Sequence, residues 1–339
     1  TKRQKEKIIN ALKNKEIDII IGTHSILEDN VEFNNLGLVV TDEQHRFGVK
    51  QRMKLSAKGN VVDTIVMTAT PIPRSLAIIL YGDLDLSIID EMPPGRKPVD
   101  TCVVNDSYNQ RVYNFLRKQI NEGRQVYVVC PLVEENEDLD LNSVEKLYQE
   151  YKDEFKEYNV GILHGKMKNK EKDTIMKEFK DNHINILIST TVIEVGISVP
   201  NATVMVIENA DRFGLAALHQ LRGRVGRGSA ASYCILKSNN KSALSRQRLD
   251  IMRKSNNGFE IAQKDLELRG PGDFFGVRQS GMPEFKLANL LTETRILEQT
   301  QEAVKEIVKN DKHLKRQENQ KIKQVLYKKY GEQLNNIVG

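Results

Sequence analysis

Short apolar runs that recur between amphipathic segments limit most strongly what this chain can fold into. Each run is nearly continuous in Ile, Val and Leu, as in strands that are buried on both faces of a parallel sheet. The segments between them keep apolar residues three and four positions apart, as Val144, Leu147, Tyr151 and Phe155 do. Alternation of the two patterns predicts an α/β fold with parallel sheets. The predicted strands are 17–22, 36–42, 63–68, 125–130, 159–163, 184–189, 202–208 and 232–236.

Two changes in this pattern divide the chain into three predicted domains. The prolines and the glycine within residues 92–98 can continue neither a helix nor a central strand, so we place a linker there. The alternation ends near Leu236, and a helical hairpin, a glycine-rich loop at 269–281 and a helical tail are expected to follow. The predicted domains are 1–92, 93–240 and 241–339.

Charge and cysteine content leave several classes of protein open. The 51 Lys and Arg residues exceed the 46 Asp and Glu residues by five, a mild excess that favours nucleic-acid binding no more than ordinary solubility. The three cysteines lie far apart and form no CxxC pair, so neither a zinc site nor a disulfide framework is indicated. No run of about 18 apolar residues occurs, and we expect a cytoplasmic protein. Basic residues crowd the tail, where they are also typical of a solvated helix face: Lys312, Lys315, Arg316, Lys321, Lys323, Lys328 and Lys329.

Two adjacent carboxylates, Asp42 and Glu43, end the apolar run at 36–42. In open α/β sheets, ligands bind at the carboxyl ends of the strands. An Asp at that position can hold Mg²⁺, and the Glu after it can orient and deprotonate the water that attacks a γ-phosphate. Taken alone, such a pair is more often part of a solvated turn. Its interpretation therefore depends on the motifs that follow.

Two later clusters add polar and cationic groups. Thr68 and Thr70 follow the next predicted strand, with a proline at a predicted helix start. Gln220, Arg224 and Arg227 have i, i+4 and i+7 spacing, which places them on one face if the segment is helical. Guanidinium groups are common partners of phosphoryl oxygens. By itself, the arginine and glycine run also suits a generic nucleic-acid contact.

In order and approximate spacing, these clusters resemble the motifs of superfamily 2 helicases. Residues 42–45 are similar to the Walker B box, residues 68–70 to the coupling motif of the first motor domain, and residues 220–227 to the arginine-finger motif of the second. Residues 189–200 resemble the motif that touches both nucleotide and nucleic acid, and residues 22–24 resemble a DNA-contacting motif. The resemblance implies two RecA-like parallel-sheet domains, the first incomplete, followed by a helical C-terminal module.

Within the superfamily, the amino-acid sequence of several segments resembles that of the RecG family. The predicted hairpin at 242–268 and the loop at 268–281 are similar to the segment that couples ATP hydrolysis to movement on duplex DNA in RecG and in the transcription-repair coupling factors (Mfd). Residues 81–85, 93–98 and 273–276 fit the RecG pattern better than the Mfd pattern. The resemblance covers most of the chain, from about residue 17 to residue 290.

The RecG resemblance implies an ATP-dependent translocase and helicase of double-stranded DNA. Such an enzyme remodels branched DNA, including replication forks and Holliday junctions, in recombination and repair. The implied cofactors are ATP and Mg²⁺, and the implied partners are double-stranded and branched DNA, with a single-strand DNA-binding protein as a further partner. The resemblance also implies a monomer with no membrane contact. An Mfd-like translocase is the alternative among enzymes, and a non-catalytic duplex-DNA-binding fragment is the alternative outside them.

The same resemblance assigns roles to individual residues. The implied catalytic residues are Glu43 as general base and Arg224 and Arg227 as arginine fingers. The implied nucleotide contacts are Asp42, which also binds Mg²⁺, Gln220 and Gly196. The implied coupling residues are Gln44, His45, Thr68, Thr70, Arg269 and Gln279. The implied DNA contacts are Thr23, His24, Thr190 and Thr191.

Three departures from the family pattern affect what this stretch of sequence can do alone. No Gly-x-x-x-x-Gly-Lys-Ser/Thr loop occurs, so the main cradle for the β- and γ-phosphates is missing from these 339 residues. The wedge domain that engages branched DNA in the family is missing as well. Ser198 stands where the family motif commonly carries an acidic residue, which puts a nucleotide contact at this position in doubt. We therefore expect the 339-residue chain alone to be inactive as an ATPase.

Overall fold

The structure is a computed structural model that describes residues 2–42, 58–59, 62–69, 85–131, 137–190, 199–274 and 294–334. The chain divides into two compact units, Thr1–Pro71 and Ile72–Gly339. Both contain parallel strands, and the described C-terminal residues are helical, as the predicted fold class requires. The three-domain division, with its boundaries after residues 92 and 240, stays a prediction. Among the described helices, none combines the length and apolar content that a membrane crossing needs.

The first unit contains a helix and a two-stranded sheet in its described residues. Helix α1 spans Lys2–Lys13, strand β1 spans Leu38–Thr41 and strand β2 spans Asp63–Val66. The two strands pair in parallel, with Leu38 opposite Asp63. Both strands lie within segments that the sequence predicts as strands.

The strand predicted at 17–22 is wrong. This segment has neither helix nor strand, and Ile19 and Ile21 are 81% and 95% exposed. A strand exists through hydrogen bonds to a neighbouring strand, and among the described residues the sheet of this unit consists of β1 and β2 alone. The apolar content of the segment therefore did not produce a strand.

A six-stranded parallel sheet forms the centre of the second unit. The strands are β3 (Val99–Val104), β4 (Gln125–Val129), β5 (Val160–Leu163), β6 (Ile186–Ser189), β7 (Ala202–Ile207) and β8 (Ser232–Lys237). Their order across the sheet is β3-β8-β7-β4-β6-β5. All neighbouring strands run parallel, so their carboxyl ends meet at one edge. Every residue of β4, β6 and β7 is buried, as in strands covered on both faces.

The sequence did not predict β3, which lies at one side of this sheet. Val99 and Thr101 of β3 are buried, whereas Asp100 and Cys102 are exposed. A strand with one solvated face alternates apolar and polar residues and lacks the continuous apolar run of a central strand. The pattern of β3 was therefore too weak to stand out.

Helices cover both faces of the six-stranded sheet. They are α2 (Asn109–Asn121), α3 (Glu137–Glu154), α4 (Asn169–Lys180), α5 (Leu215–Arg222), α6 (Ala243–Lys254) and α7 (Gly258–Phe274). Val126 and Val128 of β4 belong to a core cluster with residues of α2 and α3, and Tyr127 and Val129 belong to a second cluster with residues of α4, α5 and α6. Successive side chains of a strand point to opposite faces, so β4 joins both cores.

Helices α6 and α7 form the helical hairpin that the sequence predicts. The Ser242 hydroxyl caps α6 by accepting a hydrogen bond from the Ser245 N–H at 3.2 Å. Helix α7 is longer than expected, because the backbone is helical up to Phe274, where the sequence favoured a loop from Arg269. Its earlier turns are anchored by Leu266, which is 1% exposed, among other residues. Two further helices follow, α8 (Thr294–Asp311) and α9 (Gln320–Leu334).

A buried side-chain amide gives a test of how this unit is held together. Gln125 is 0% exposed, and its Nε2 donates hydrogen bonds to the carbonyls of Phe179 and Ile184. Gln125→Leu leaves both carbonyls without that donor, and we expect the free energy of unfolding in urea to fall by about 1–3 kcal/mol. Gln110→Leu, at an exposed position of α2, is the matched control and should leave the urea midpoint unchanged. Equal midpoints for the two variants would contradict this account.

Candidate nucleotide and nucleic-acid site

Asp42 and Thr68 lie at the same edge of the sheet in the first unit. Thr41 is opposite Val66 in the sheet register, and the Met67 N–H donates to the Thr41 carbonyl at 2.8 Å. This pairing brings the residue after β1 beside the segment after β2. Both Asp42 and Thr68 are exposed. A carboxylate and a hydroxyl at the carboxyl ends of parallel strands offer the hard oxygen ligands that Mg²⁺ prefers.

Thr23 is the other described site residue of the first unit. It is exposed and immediately precedes the 3₁₀ helix His24–Leu27 in an extended conformation. Its side chain makes no capping hydrogen bond to that helix. A threonine in this position has a surface hydroxyl, as a contact to a DNA phosphate requires.

Several predicted site residues cannot be placed. For His24 and Arg269, the structure describes the backbone only. The predicted site residues that lie outside the described ranges are Glu43, Gln44, His45, Thr70, Thr191, Gly196 and Gln279. Their roles stay predictions.

Buried polar groups without partners gather at the carboxyl ends of β5 and β6. Thr190, which follows β6, is 3% exposed, and its N–H donates to the carbonyl of Leu163 at 3.3 Å. The Oγ1 of Thr190, the Oγ of Ser189 and the Nδ1 of His164 are buried and make no hydrogen bond within the described part of the chain. Burial lowers the pKa of His164, the residue that follows β5. All three side chains lie at the carboxyl edge of the sheet, the edge at which ligands bind in open α/β folds.

The helix that carries the arginine motif ends earlier than the sequence suggested. Helix α5 ends at Arg222, so Gln220 lies on the helix while Arg224 and Arg227 lie beyond it. The shared helical face was conditional on a continuous helix through all three residues, and that condition is not met. After Arg222 the backbone makes tighter hydrogen bonds, from the Arg224 N–H to the Leu221 carbonyl and from the Val225 N–H to the Arg222 carbonyl, and Gly226, with a φ of +73°, then turns the chain.

The turn at Gly226 also brings the backbone close to β3. A Cβ added at Gly226 would lie 2.9 Å from Cγ2 of Val99, which leaves no room for a side chain. Glycine therefore satisfies both the positive φ and the close approach. The turn fixes the direction in which the chain leaves α5 and places Arg227 at the surface.

Arg224 and Arg227 act electrostatically on the same buried side chain. Burial raises the pKa of Tyr127 in β4 to about 12, and the positive charges of both arginines oppose that rise. The exposed Arg227 is held by a hydrogen bond from its Nε to the Gly223 carbonyl at 3.2 Å. Guanidinium groups of this kind are suited to bind a phosphoryl group or a phosphate backbone.

Arg222 connects α5 to the helical hairpin. Its side chain is 3% exposed, and Nη1 donates to the carbonyls of Met252 and Ser255, each at 2.8 Å. Those two carbonyls lie in the last turn of α6 and at its C-cap, where backbone acceptors lack partners within the helix. Nη2 lies 3.1 Å from Nδ1 of His219 on the preceding turn of α5. Burial lowers the pKa of Arg222, yet these acceptors compensate the buried charge.

A buried ion pair lies at the carboxyl ends of the neighbouring strands β7 and β8. Nζ of Lys237 lies 2.8 Å from Oε1 of Glu208, and the two side chains are 6% and 12% exposed. The Tyr151 hydroxyl donates to the same oxygen at 3.3 Å. Burial raises the pKa of Glu208, while the Lys237 charge acts against that rise. The pair thus links the sheet to α3, and loss of either partner would leave a buried charge.

Three family models match consecutive parts of the chain. The DEAD/DEAH box helicase model matches residues 1–79, and the helicase conserved C-terminal domain model matches residues 107–229. The model for domain 3, C-terminal, of the ATP-dependent DNA helicase RecG matches residues 255–336. The first two matches and the parallel sheets define the class: a superfamily 2 helicase fold with RecA-like domains.

Individual relatives specify the family within that class. The chain is 53% identical over 311 residues to the ATP-dependent DNA helicase RecG of Bacillus subtilis, which covers 91% of this chain and 46% of that protein. Identity to the Thermotoga maritima RecG is 51% over 308 residues, or 91% of this chain and 40% of that protein. The chain is homologous to the RecG helicases over most of its length, and it spans less than half the length of these two relatives.

Solved structures agree with this assignment. A structure of RecG bound to a three-way DNA junction is 47% identical, with a TM-score of 0.67 over 88% of this chain and 38% of that chain. A structure of Mss116p bound to ssRNA and AMP-PNP is 18% identical, with a TM-score of 0.52 over 74% of this chain and 54% of that chain. The second likeness concerns the fold alone.

The His219 and Arg222 pair predicts how stability depends on pH. Burial, together with the charges of Arg222 and Arg96, lowers the pKa of His219 to about 4, whereas an unfolded histidine titrates near 6.5. The unfolded chain therefore binds a proton that the folded chain excludes, and stability falls as pH drops from 6.5 towards 4. Between pH 7 and pH 5, we expect this group to lower the free energy of unfolding by about 1–2 kcal/mol.

Urea unfolding at the two pH values checks this prediction. His219→Gln should reduce the difference between pH 7 and pH 5, because glutamine does not titrate. The matched control is His183→Gln, at an exposed position, which should keep the pH dependence of the unsubstituted protein. The same pH dependence in both variants would show that His219 is not the titrating group.

Proposed function

We propose that this chain is the motor part of an ATP-dependent translocase and helicase of double-stranded DNA. It remodels branched DNA, including replication forks and Holliday junctions, in recombination and repair. The observation that carries the proposal is the 53% identity to a RecG helicase over 91% of the chain. Branched DNA as the substrate class is supported by the three-way junction to which the homologous RecG is bound in its solved structure.

The described residues fit ATP and Mg²⁺ as the cofactors. Asp42 presents an exposed carboxylate, and no three His, Cys, Asp or Glu side chains cluster as metal ligands among the described residues. A single carboxylate suits Mg²⁺, which keeps most of its waters and takes further ligands from phosphates. When bound there, Mg²⁺ supplies positive charge to the phosphates during hydrolysis. Gln220 and Gly196 are the further nucleotide contacts in this proposal.

In this proposal, four side chains of the chain take part in ATP hydrolysis. Glu43 accepts a proton from the attacking water, and Asp42 holds Mg²⁺. Arg224 and Arg227 donate hydrogen bonds to the γ-phosphoryl oxygens as negative charge builds up there. Their place in the arginine-finger motif, two and five residues beyond the end of α5, supports these roles.

Coupling and DNA binding are assigned to neighbouring residues. Thr68 lies beside Asp42 at the sheet edge, and with Gln44, His45 and Thr70 it transmits the nucleotide state to the DNA-binding residues. Thr23, His24, Thr190 and Thr191 contact DNA, mainly through phosphates. The exposed hydroxyl of Thr23 supports this role, whereas Thr190, which is 3% exposed, is assigned by its place in the motif.

The alternatives fit less well. An Mfd-like translocase is not favoured, because a RecG-specific model matches residues 255–336. A non-catalytic duplex-DNA-binding fragment stays the alternative for the 339 residues alone, which lack a phosphate-binding loop. A cytoplasmic location, a monomeric state and a single-strand DNA-binding protein as partner also belong to the proposal.

Arg227→Ala in the full-length protein tests the assignment of the arginine finger. We expect DNA-stimulated ATP hydrolysis to fall by about 10³-fold or more, because a finger stabilises charge only in the transition state. Glu43→Gln, which removes the general base, should abolish turnover and serves as the reference for an inactive enzyme. Arg111→Ala, at an exposed position of α2, is the control and should keep the unsubstituted rate. A near-normal rate for Arg227→Ala would move the role to Arg224 or discard it.

Arg269→Ala and Gln279→Ala separate hydrolysis from movement. If these residues belong to a coupling element, DNA-stimulated ATP hydrolysis in the full-length protein should stay substantially intact while fork unwinding is lost. A purely structural role, such as an ion pair that holds the hairpin, would instead lower the melting temperature and reduce both activities together. Unchanged unwinding in both variants would show that this segment does not couple.

A further inference from the structure

The turn between α8 and α9 is built by one carboxylate. Oδ1 of Asp311 accepts a hydrogen bond from the Lys315 N–H at 2.7 Å. Oδ2 accepts from the Arg316 N–H and from Nδ2 of Asn319, both at 2.9 Å. These hydrogen bonds, with that of Asn319 foremost, lower the pKa of Asp311. The carboxylate is therefore engaged by the turn and is not directed at the lysine side chains around it.

The same turn holds a bulky residue in an unfavourable conformation. Leu314 has a φ of +48°, which side chains other than glycine, asparagine and aspartate seldom adopt. Its N–H donates to the Asp311 carbonyl at 2.9 Å. Nε2 of Gln320 donates to the carbonyls of Leu314 at 3.2 Å and Lys315 at 3.0 Å. Hydrogen bonds on both sides thus fix the turn in one shape.

Positive charge is concentrated on this turn and the helix after it. Residues 312–329 contain seven Lys or Arg and one Glu, whereas α8 contains three basic and four acidic residues. Lys312, Lys315 and Arg316 are exposed. The acidic neighbour, Glu318, approaches Arg316 only to 3.8 Å, with both side chains more than half exposed, so it screens little of that charge.

We propose that this basic turn, residues 312–316, binds the phosphate backbone of duplex DNA. The inference rests on the proposed function, which supplies the DNA, and it adds a contact apart from the helicase motifs. The three exposed cations of this turn can pair with phosphates. Because the backbone of the turn is already fixed, binding does not lose the entropy that ordering a flexible loop would cost. An acidic protein partner fits less well, because Leu314 is the only apolar residue of the turn and is half-buried, whereas protein interfaces have an apolar core.

The number of phosphate contacts can be obtained from the salt dependence of DNA binding. Binding of a blunt 30-base-pair duplex to the full-length protein is measured between 50 and 200 mM salt. The slope of log K against log salt is negative, and each lost phosphate contact reduces its magnitude by about 0.9. We expect the triple variant Lys312→Gln, Lys315→Gln and Arg316→Gln to bind the duplex more weakly. The magnitude of its slope should be smaller by about 2–3. The control removes three exposed charges elsewhere in the second unit, Lys118→Gln, Lys152→Gln and Lys156→Gln, and should leave the slope unchanged.

Asp311→Ala separates the fixed turn from charge alone. The substitution removes a negative charge, so a general electrostatic attraction would strengthen DNA binding. We expect binding to weaken by roughly threefold or more at 200 mM salt, as for the loss of one phosphate contact, because the cations lose their fixed arrangement. Far-ultraviolet circular dichroism and thermal melting establish that the variant is folded. Tighter binding by the folded variant would overturn the proposal.

The remaining outcomes decide between this inference and the proposed function. Lack of duplex binding and of DNA-stimulated ATP hydrolysis in the unsubstituted protein would overturn the proposed function and the inference with it. Normal binding with an unchanged slope in the triple glutamine variant would overturn the inference alone. An unchanged slope together with lost binding of a poly-glutamate peptide would replace it with an acidic protein partner.

Discussion

A parallel sheet must be covered on both faces, and this requirement determines where the chemistry of the second unit lies. Each connection between parallel strands crosses from one end of the sheet to the other, usually through a helix, so the residues that follow the strands gather at one edge. His164, Thr190 and Glu208 each come directly after a strand, β5, β6 and β7 respectively. Residues far apart in sequence therefore become neighbours at the edge without any specific contact to bring them there.

Arg222 attaches the helical hairpin to this framework. Its guanidinium joins carbonyls at the end of α6, and Gln220, two residues earlier, lies on the same short helix α5. Hydrogen bonds from a buried charge are strong, and carbonyls left without a donor in the interior are costly. Displacement of α5 relative to α6 would break two such bonds at once, so the two helices keep one relative position in this structure.

Much of this fold could be predicted because central parallel strands have a distinctive pattern. The buried strands β4, β6 and β7 fall within the apolar runs at 125–130, 184–189 and 202–208. The strand predicted at 17–22 was wrong, since pairing depends on a neighbour and not on local composition. The edge strand β3 was missed because its exposed face carries polar residues.

The site was predictable only where a residue belongs to a recognisable motif. Arg224 and Arg227 belong to a recognisable motif, but α5 ends at Arg222, before either of them, and helical spacing does not reveal that end. Arg222 was missed, although one signal was present: it shares a helical face with Leu215 and Leu218, at i, i+3 and i+7, where an apolar residue is expected. A cation at a core position indicates a buried partner, but the identity of that partner depends on tertiary structure.

The buried polar groups at the ends of β5 and β6 make no hydrogen bond within the described residues, and such groups affect stability. A buried hydroxyl without a hydrogen bond costs about 1–3 kcal/mol, and valine has nearly the shape of threonine without that cost. Stability alone would therefore favour valine at Thr190, whose Oγ1 makes no hydrogen bond within the described residues. If a phosphate accepts a hydrogen bond from this hydroxyl, as the proposed function has it, that cost is removed in the complex and not in the free protein. Because the hydroxyl is already fixed by burial, its ordering entropy is lost on folding and does not weaken binding.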